Sequence, residues 1–464
     1  MMRLWNDEVR EPPAVRGGDM EKRKKVIRDP LYGYIEISDE EKEIIELPVF
    51  QRLRRVSQLS LADLVYPNAT HNRFSHSLGV MHLAKIVSKY LETSEIKEKI
   101  LSNENSNLII WAGLLHDIGH LPFSHVCEPV FAYFIDGSNN WKNYHVDIGC
   151  RIIKSPDFGI KDILGNDNAE KICKIIKGKS DRELSIHLVK IMTGPCSIDR
   201  LDYLRRDAYH AGTREYAIID AQRILTSLEV CPDDLYTAPV FKRKSLYALE
   251  GVILSYFYMY RAIYYHRAVR AAYLLFQEIL WDAFEKHDLK NKLGEYGLDK
   301  LKPPTYNWIH FDEHFLLTIL REIPDISKQL DELFLFRKLP KLIEIDERIY
   351  RRIFKFLNKV PYKEKIKKER EIAEKLKRFG VKRIFLDSPM IIPYPRSFLE
   401  EEEKIYILKD GRASDIAEDS TYLNSLQDAA EKQLAARIYV LPGELRNNNN
   451  FVRELYNIIM EELS

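Results

Sequence analysis

Hydrophobic and polar positions divide the 464-residue chain into a long helical stretch and a shorter part of mixed periodicity. From Phe74 to Leu91, apolar residues recur at steps of three and four (Val80, Leu83, Val87, Tyr90), the spacing of one buried helical face. Stepping back four from Val80 places His76 on that face. Leu108 to Leu115 carries no charge and predicts a helix buried on every side, which must stop near Gly119 and Pro122 and leave His120 and His125 on the turn beyond. Pro195-Cys-Ser197 opens a helix ending at His210-Ala-Gly212, on which Asp199, Tyr203 and Asp207 lie one above another. Asp202 and Arg205 mark its exposed side. A long aromatic-rich helix from Leu246 to about Phe284 places Tyr260, Tyr264 and Arg267 on one face.

Shorter patterns flank these helices. Lys25 to Ile37 reads as a hairpin with turn signals at Asp29-Pro30 and Gly33, and Ser38 followed by Glu41 is a capping box. A helix is predicted over Val49 to Leu59. Helices continue beyond Pro303-Pro304 to about Phe356, and Lys363 to Lys377 reads as a solvated helix. After Gly380 the period shifts toward two, with strands at Arg383, Lys404 and Arg437, a turn at Asp410-Gly411 and a closing helix from Phe451 to Leu463. The expected fold is mainly α: a flexible tail over 1–24, a helical core over 25–340 preceded by the hairpin, and a smaller α+β region over 341–464.

Composition narrows the function classes. Seventy-one Lys and Arg against seventy Asp and Glu leave a formal charge of +1, so no global field recruits nucleic acid or membrane. No apolar run approaches the length that spans a bilayer and no signal peptide is legible, so a soluble cytoplasmic protein is expected. The five cysteines (Cys127, Cys150, Cys173, Cys196, Cys231) lack the close pairing of a zinc ribbon and suit a reducing compartment. Four recur at a constant interval in dissimilar surroundings, which marks no repeat.

Chemistry enters with His116-Asp117. An ionised Asp at the end of an apolar helix costs several kcal/mol unless a cation or tight hydrogen bonds compensate it. Combining His76, His116, Asp117 and Asp199 gives two imidazoles and two carboxylates from three helices. This mixed N/O set suits a divalent ion (Fe, Mn, Mg, Ni or Zn) and leaves positions for water and a phosphate oxygen. His125, His120 and His145 are candidates to protonate a leaving group. Arg73, at the start of the His76 helix, stands where anions bind.

These residues resemble the H…HD…D signature of the HD-domain phosphohydrolases. Five blocks extend the likeness to the deoxynucleotide triphosphohydrolase branch: Arg28-Asp-Pro-Leu-Tyr-Gly, Phe50-Gln-Arg-Leu-Arg, His71 to Gly79, Leu115 to His125 and Asp202-Tyr-Leu-Arg-Arg-Asp207. The resemblance implies hydrolysis of a dNTP at the α-phosphate to a deoxynucleoside and inorganic triphosphate, with the four ligands named above holding the metal. It also implies His125 as proton donor to the 5′ oxygen, supported by His120, Glu128 and His145. Arg73 would hold phosphates, with Tyr203 beside them. Gln58, Leu59 and Asp207 would contact the sugar 3′ end, and Tyr264 would exclude a 2′-hydroxyl. Lys242 and Lys244 would border a second nucleotide.

An activator site for GTP or dGTP, coupled to a homo-oligomer (dimer or tetramer), would use Lys25, Glu46, Gln51 and Arg54. The chain departs from the family pattern in several places. Glu46 stands where Asp is usual, Arg28 where Asn is usual and Tyr256 where an Arg is expected. Val146 replaces a Glu after His145, so Asp147 would have to supply that carboxylate. No N-terminal SAM domain is expected. Two other readings fit the same ligands: an HD-type nucleotide phosphatase or phosphodiesterase, and a nucleotide-sensing oligomer with a vestigial site.

Overall fold

The structure, a computed structural model, describes residues 25–463 except 102, 103, 105, 231–239, 303, 389–403 and 424–435. The tail reading, Cys231 and Pro303 lie outside the described residues. Strands β1 (Lys25–Asp29) and β2 (Gly33–Ile37) form the antiparallel hairpin, with Asp29 Oδ1 accepting the Leu31 and Tyr32 amides in the turn. Ser38 and Glu41 exchange both bonds of a capping box at the head of α1 (Asp39–Glu46). The helix expected over Val49 to Leu59 is shorter, one α turn (Pro48–Gln51) and one 3-10 turn (Arg52–Arg55). Arg52 explains the bend: it is fully buried, donating to the Phe311 carbonyl at 2.6 Å and the His120 carbonyl at 2.8 Å.

The core that positions the site is built from α2 (Arg73–Glu92), α3 (Asn107–Leu115), α4 (Glu128–Asp136), α5 (Tyr144–Lys154), α6 (Asn166–Ile176) and α7 (Ile198–His210). Leu108 through Leu115 are all buried, as their unbroken apolarity requires. Helix α7 packs on α2 closely enough that a Cβ at Gly79 would collide with the Asp202 carboxylate and the Arg206 guanidinium. Asp202, expected on an exposed face, is fully buried, because its negative charge is matched by Arg206 and His76 inside the fold.

The long aromatic helix is broken. Helix α8 (Leu246–Met259) passes into a π turn (Tyr260–Tyr264), and α9 (Arg267–His287) starts afresh with His266 as its N-cap. Arg267 is exposed beyond the break and does not continue the face of Tyr260 and Tyr264. Among the described residues the remaining strands are β3 (Leu228–Glu229), β4 (Val240–Lys242), β5 (Lys341–Ile343), β6 (Arg383–Asp387), β7 (Tyr406–Lys409), β8 (Arg412–Asp415) and β9 (Arg437–Leu441). They form two sheets, ordered β3-β4-β7-β8 with β4 and β7 parallel, and β5-β9-β6, all antiparallel.

Helices α10 (Glu347–Leu357), α11 (Tyr362–Lys375) and α12 (Asn449–Glu462) pack around the second sheet over a separate apolar cluster. Helix α11 is not the freely solvated helix its charge suggested. Ile366, Glu369 and Ile372 are buried, and Arg370 reaches Glu278 (2.9 Å), Asp282 (2.7 Å) and Glu285 (2.5 Å) on α9. Among the described residues, no helix is long and apolar enough to cross a membrane.

Candidate active site

Three donors converge where α2, α3 and α7 meet. His76 Nε2 lies 3.2 Å from His116 Nε2, and Asp199 Oδ1 lies 3.0 Å from the first and 3.6 Å from the second. Both rings have Nδ1 committed elsewhere, His76 donating to Asp202 Oδ2 at 2.8 Å and His116 to the Gly113 carbonyl at 2.9 Å. A ring that donates through Nδ1 presents its Nε2 lone pair, so two lone pairs and a carboxylate face one point. That arrangement fits a divalent metal ion. Asp117 borders the trio, with Oδ1 3.3 Å from His116 Nε2 and Oδ2 bonded to Arg73 at 2.8 Å.

Electrostatics point the same way. Burial alone would lower the His76 pKa, but its bonds to Asp199 and Asp202 and the charge of Asp117 outweigh that and hold it up to about 10. Burial would likewise raise Asp199 and Asp117. Hydrogen bonds to His116 and His76 for the first, and the Arg73 charge for the second, instead hold both carboxyls well below the usual range. Three carboxylates around one imidazole, Asp117 and Asp202 buried and Asp199 partly exposed, call for positive charge. The His76 proton supplies it when no ion is bound, and a divalent ion would take that proton's place on Nε2.

A second group, His120, His125, Glu128 and His145, stands beside the trio. The chain reaches it through Phe123 (φ 55°) and Ser124 (φ 47°), non-glycine residues held in the left-handed region. Glu313 accepts the Phe123 amide, Ser60 donates to the Phe123 carbonyl, and Ser124 Oγ donates to the Ser57 carbonyl while accepting from Arg73. Glu128, buried, accepts from His145 Nδ1 at 2.9 Å and His125 Nδ1 at 3.2 Å. Burial would raise its carboxyl, but the surrounding imidazoles hold it well below the usual range.

His120 stacks on His145 at 3.9 Å, and burial with the nearby positive charges pushes its pKa down to about 3. It therefore stays neutral. The His125 side chain is 59% exposed, open to a ligand. Asp147 does not take the place of the missing Glu, because it pairs with Lys177 and Lys302; Glu128 holds His145 instead.

The residues expected at the sugar also lie together. Tyr264 donates to Asp207 Oδ2 at 2.6 Å, and its ring meets Tyr203 edge-on. Gln58 and Leu59 are buried nearby, their carbonyls accepting from Arg73 and Tyr273 respectively. The activator candidates are each engaged locally: Lys25 with Asp39, Glu46 with Lys42, and Gln51 with Arg54, whose guanidinium lies over the Phe74 ring. Lys242 contacts Tyr90 and Glu229, and the Lys244 carbonyl accepts from Arg223.

Several supporting roles do not follow from the sequence, which offers His71 only as a neighbour of Arg73 at an anion-favouring helix start and Asp202 only as a mark of the exposed side. His71 Nε2 bonds Asp207 Oδ1 at 2.7 Å, Asp202 orients His76, and Glu313 pins the turn. Asp202 was the most readable of these, standing one turn from Asp199 and four residues before Arg206.

Such a site on a helical core defines a metal-dependent phosphohydrolase. The HD domain model matches residues 73–219 and the HD associated region model matches residues 219–462; the chain belongs to the HD-domain phosphohydrolase superfamily. It is 32% identical to an uncharacterized protein of Methanocaldococcus jannaschii over 95% of this chain and 84% of that one. It is 28% identical to the deoxynucleoside triphosphate triphosphohydrolase SAMHD1 homolog of Dictyostelium discoideum, over 73% of this chain and 61% of the relative. A hypothetical protein from Aquifex aeolicus has a similar crystal structure, with a TM-score of 0.64 and 27% identity over 95% of this chain and all of that one.

Proposed function

We propose that this protein hydrolyses deoxynucleoside triphosphates to a deoxynucleoside and inorganic triphosphate. The observation that carries the reading is the pair of His76 and His116 Nε2 atoms, pre-oriented beside Asp199, next to the Glu128-centred histidines. A divalent metal held by His76, His116 and Asp199, with Asp117 beside them, would supply Lewis-acid polarisation of a phosphoryl oxygen. Arg73, fixed by Ser124 and Asp117, orients and neutralises the phosphates. His125, backed by Glu128, delivers the proton to the departing 5′ oxygen, while His145 bonds Glu128 and His120 stacks on His145.

Asp207 and Tyr264, with Gln58 and Leu59, receive the sugar, and the Tyr264 ring occupies the space a 2′-hydroxyl would need. Tyr203 stands between this end and the phosphates. Support for the dNTP class comes from the five sequence blocks and from the named activity of the Dictyostelium relative. The test is product analysis. Manganese- or iron-loaded protein given dGTP is expected to release deoxyguanosine and triphosphate on an anion-exchange trace. Orthophosphate or pyrophosphate in their place would overturn the reading.

The regulatory part of the proposal places GTP or dGTP at Lys25, Glu46, Gln51 and Arg54, coupled to homo-oligomer assembly as a dimer or tetramer. Arg54→Ala is expected to abolish stimulation by guanine nucleotide with metal content unchanged. Full stimulation in that variant would remove these residues from the activator site.

A further inference from the structure

Away from the active site, helices α5 and α6 pack so that two of the regularly spaced cysteines meet. Cys150 Sγ lies 3.7 Å from the Cys173 carbonyl oxygen and Cys173 Sγ 3.6 Å from the Cys150 carbonyl oxygen, a reciprocal contact that sets the two thiols side by side. Both are free and line a cleft of about 610 Å³. The walls are strongly basic: Arg151, Lys154, Lys174, Lys177, Lys179 and Lys302 face two acids, Asp147 and Glu170. Buried structural cysteines are ordinarily inert in apolar surroundings. Cys150 and Cys173 are also buried, 2% and 4% exposed, but they form the floor of a cleft with predominantly basic walls, where a small anion is favoured.

We infer that Cys150 and Cys173 form a thiol–disulfide exchange site for anionic low-molecular-weight disulfides. The hydrogen bond from Cys173 lowers the Cys150 pKa, with further help from Lys177 and Lys154, whereas that same bond and burial raise Cys173. In this scheme Cys150 attacks and Cys173 resolves, the order that the Cys173→Ser variant tests. The Cys150 thiolate attacks one sulfur of RSSR, the S–S bond breaks, and RS⁻ leaves and takes up the proton Cys150 gave up. Cys173 then attacks the Cys150 sulfur of the mixed disulfide, and the second RS⁻ leaves with the Cys173 proton. Two thiols are oxidised by two electrons, one disulfide is reduced, and two RSH are released. The new bond ties α5, which carries His145, to α6.

The experiment exposes the reduced full chain to glutathione disulfide, which is anionic, or to cystamine, which is cationic, then alkylates the remaining thiols and maps the peptides. A Cys150–Cys173 linkage that forms about tenfold or more faster with glutathione disulfide supports the inference. So do a Cys173→Ser variant that stops at a mixed disulfide on Cys150 and a Lys154→Gln/Lys177→Gln variant that loses the charge preference. No linkage in the wild type, modification of Cys127 or Cys196 in its place, or equal rates with the two reagents would overturn it. The wild-type map and rates stand independently of whether any variant folds.

Discussion

Asp202 shows how much of the site rests on side chains that touch no ligand themselves. Its Oδ2 receives His76 Nδ1 and Arg206 Nε, both at 2.8 Å, and its Oδ1 receives Tyr32 and Arg206 Nη2. Loss of a partner that orients a metal-binding imidazole typically costs about 10–100-fold in affinity. Asp202→Asn is therefore expected to weaken metal binding by about that factor in competition with a chelator. Helical content should survive, because Arg206 keeps its ion pair with Asp29. Gly119 is the second sensitive position. A Cβ there would stand inside contact distance of the His145 carbonyl oxygen and the Gly149 nitrogen, so α5 would have to retreat and take His145 with it. Gly119→Ala is expected to retain metal yet turn over substrate about 100-fold more slowly, as a displacement near 1 Å implies. Metal analysis beside a kcat measurement checks both halves.

Helix α11 brings a titratable group into the interior. Burial pushes the Glu369 carboxyl up to about 7 against the opposing charge of Lys365, while its Oε1 accepts the Leu386 amide at 2.6 Å. A raised carboxyl pKa means the folded state holds a proton that the unfolded chain has already released. The associated stability is present below the ordinary carboxyl pKa and is lost as pH rises through about 7. Urea titrations between about pH 5 and pH 8 should show a fall of roughly 2–3 kcal/mol that Glu369→Gln, which keeps the acceptor oxygen, removes. An unchanged slope in that variant would assign the effect elsewhere. Elements also show what the sequence made legible. Helices α2, α3 and α7 follow from apolar spacing and caps, whereas the meeting of His76, His116 and Asp199 was expected from their ligand chemistry and the H…HD…D resemblance. The π turn at Tyr260–Tyr264 did not follow, because one inserted residue barely disturbs the apolar pattern while redirecting everything after it. Asp202 and Arg370 were read as solvated because charge alone does not reveal a partner distant in sequence.

At the scale of the whole molecule, the C-terminal third is fastened to the catalytic part at several points, the Arg270–Asp387 ion pair and the Ser420–Glu250 hydrogen bond among them, and two fastenings carry the most. Strand β7 lies parallel to β4, with Ile407 opposite Phe241, and Arg370 serves three carboxylates of α9. A fragment ending at residue 340 would expose the β4 edge and leave Glu278 and Asp282 without that cation. The 25–340 fragment is expected to aggregate or melt without cooperativity, whereas the full chain melts in one transition. A soluble fragment with a sharp melt would show that these fastenings are dispensable. The parallel pairing of Phe241 with Ile407 also sets an order of events during synthesis. Chains emerge from the ribosome amino end first, so the helices bearing His76, His116 and Asp199 gather while the strand that completes their neighbouring sheet is still untranslated. Nascent chains of this protein pass through a stage with an open sheet edge, and that interval is when a chaperone has most to protect.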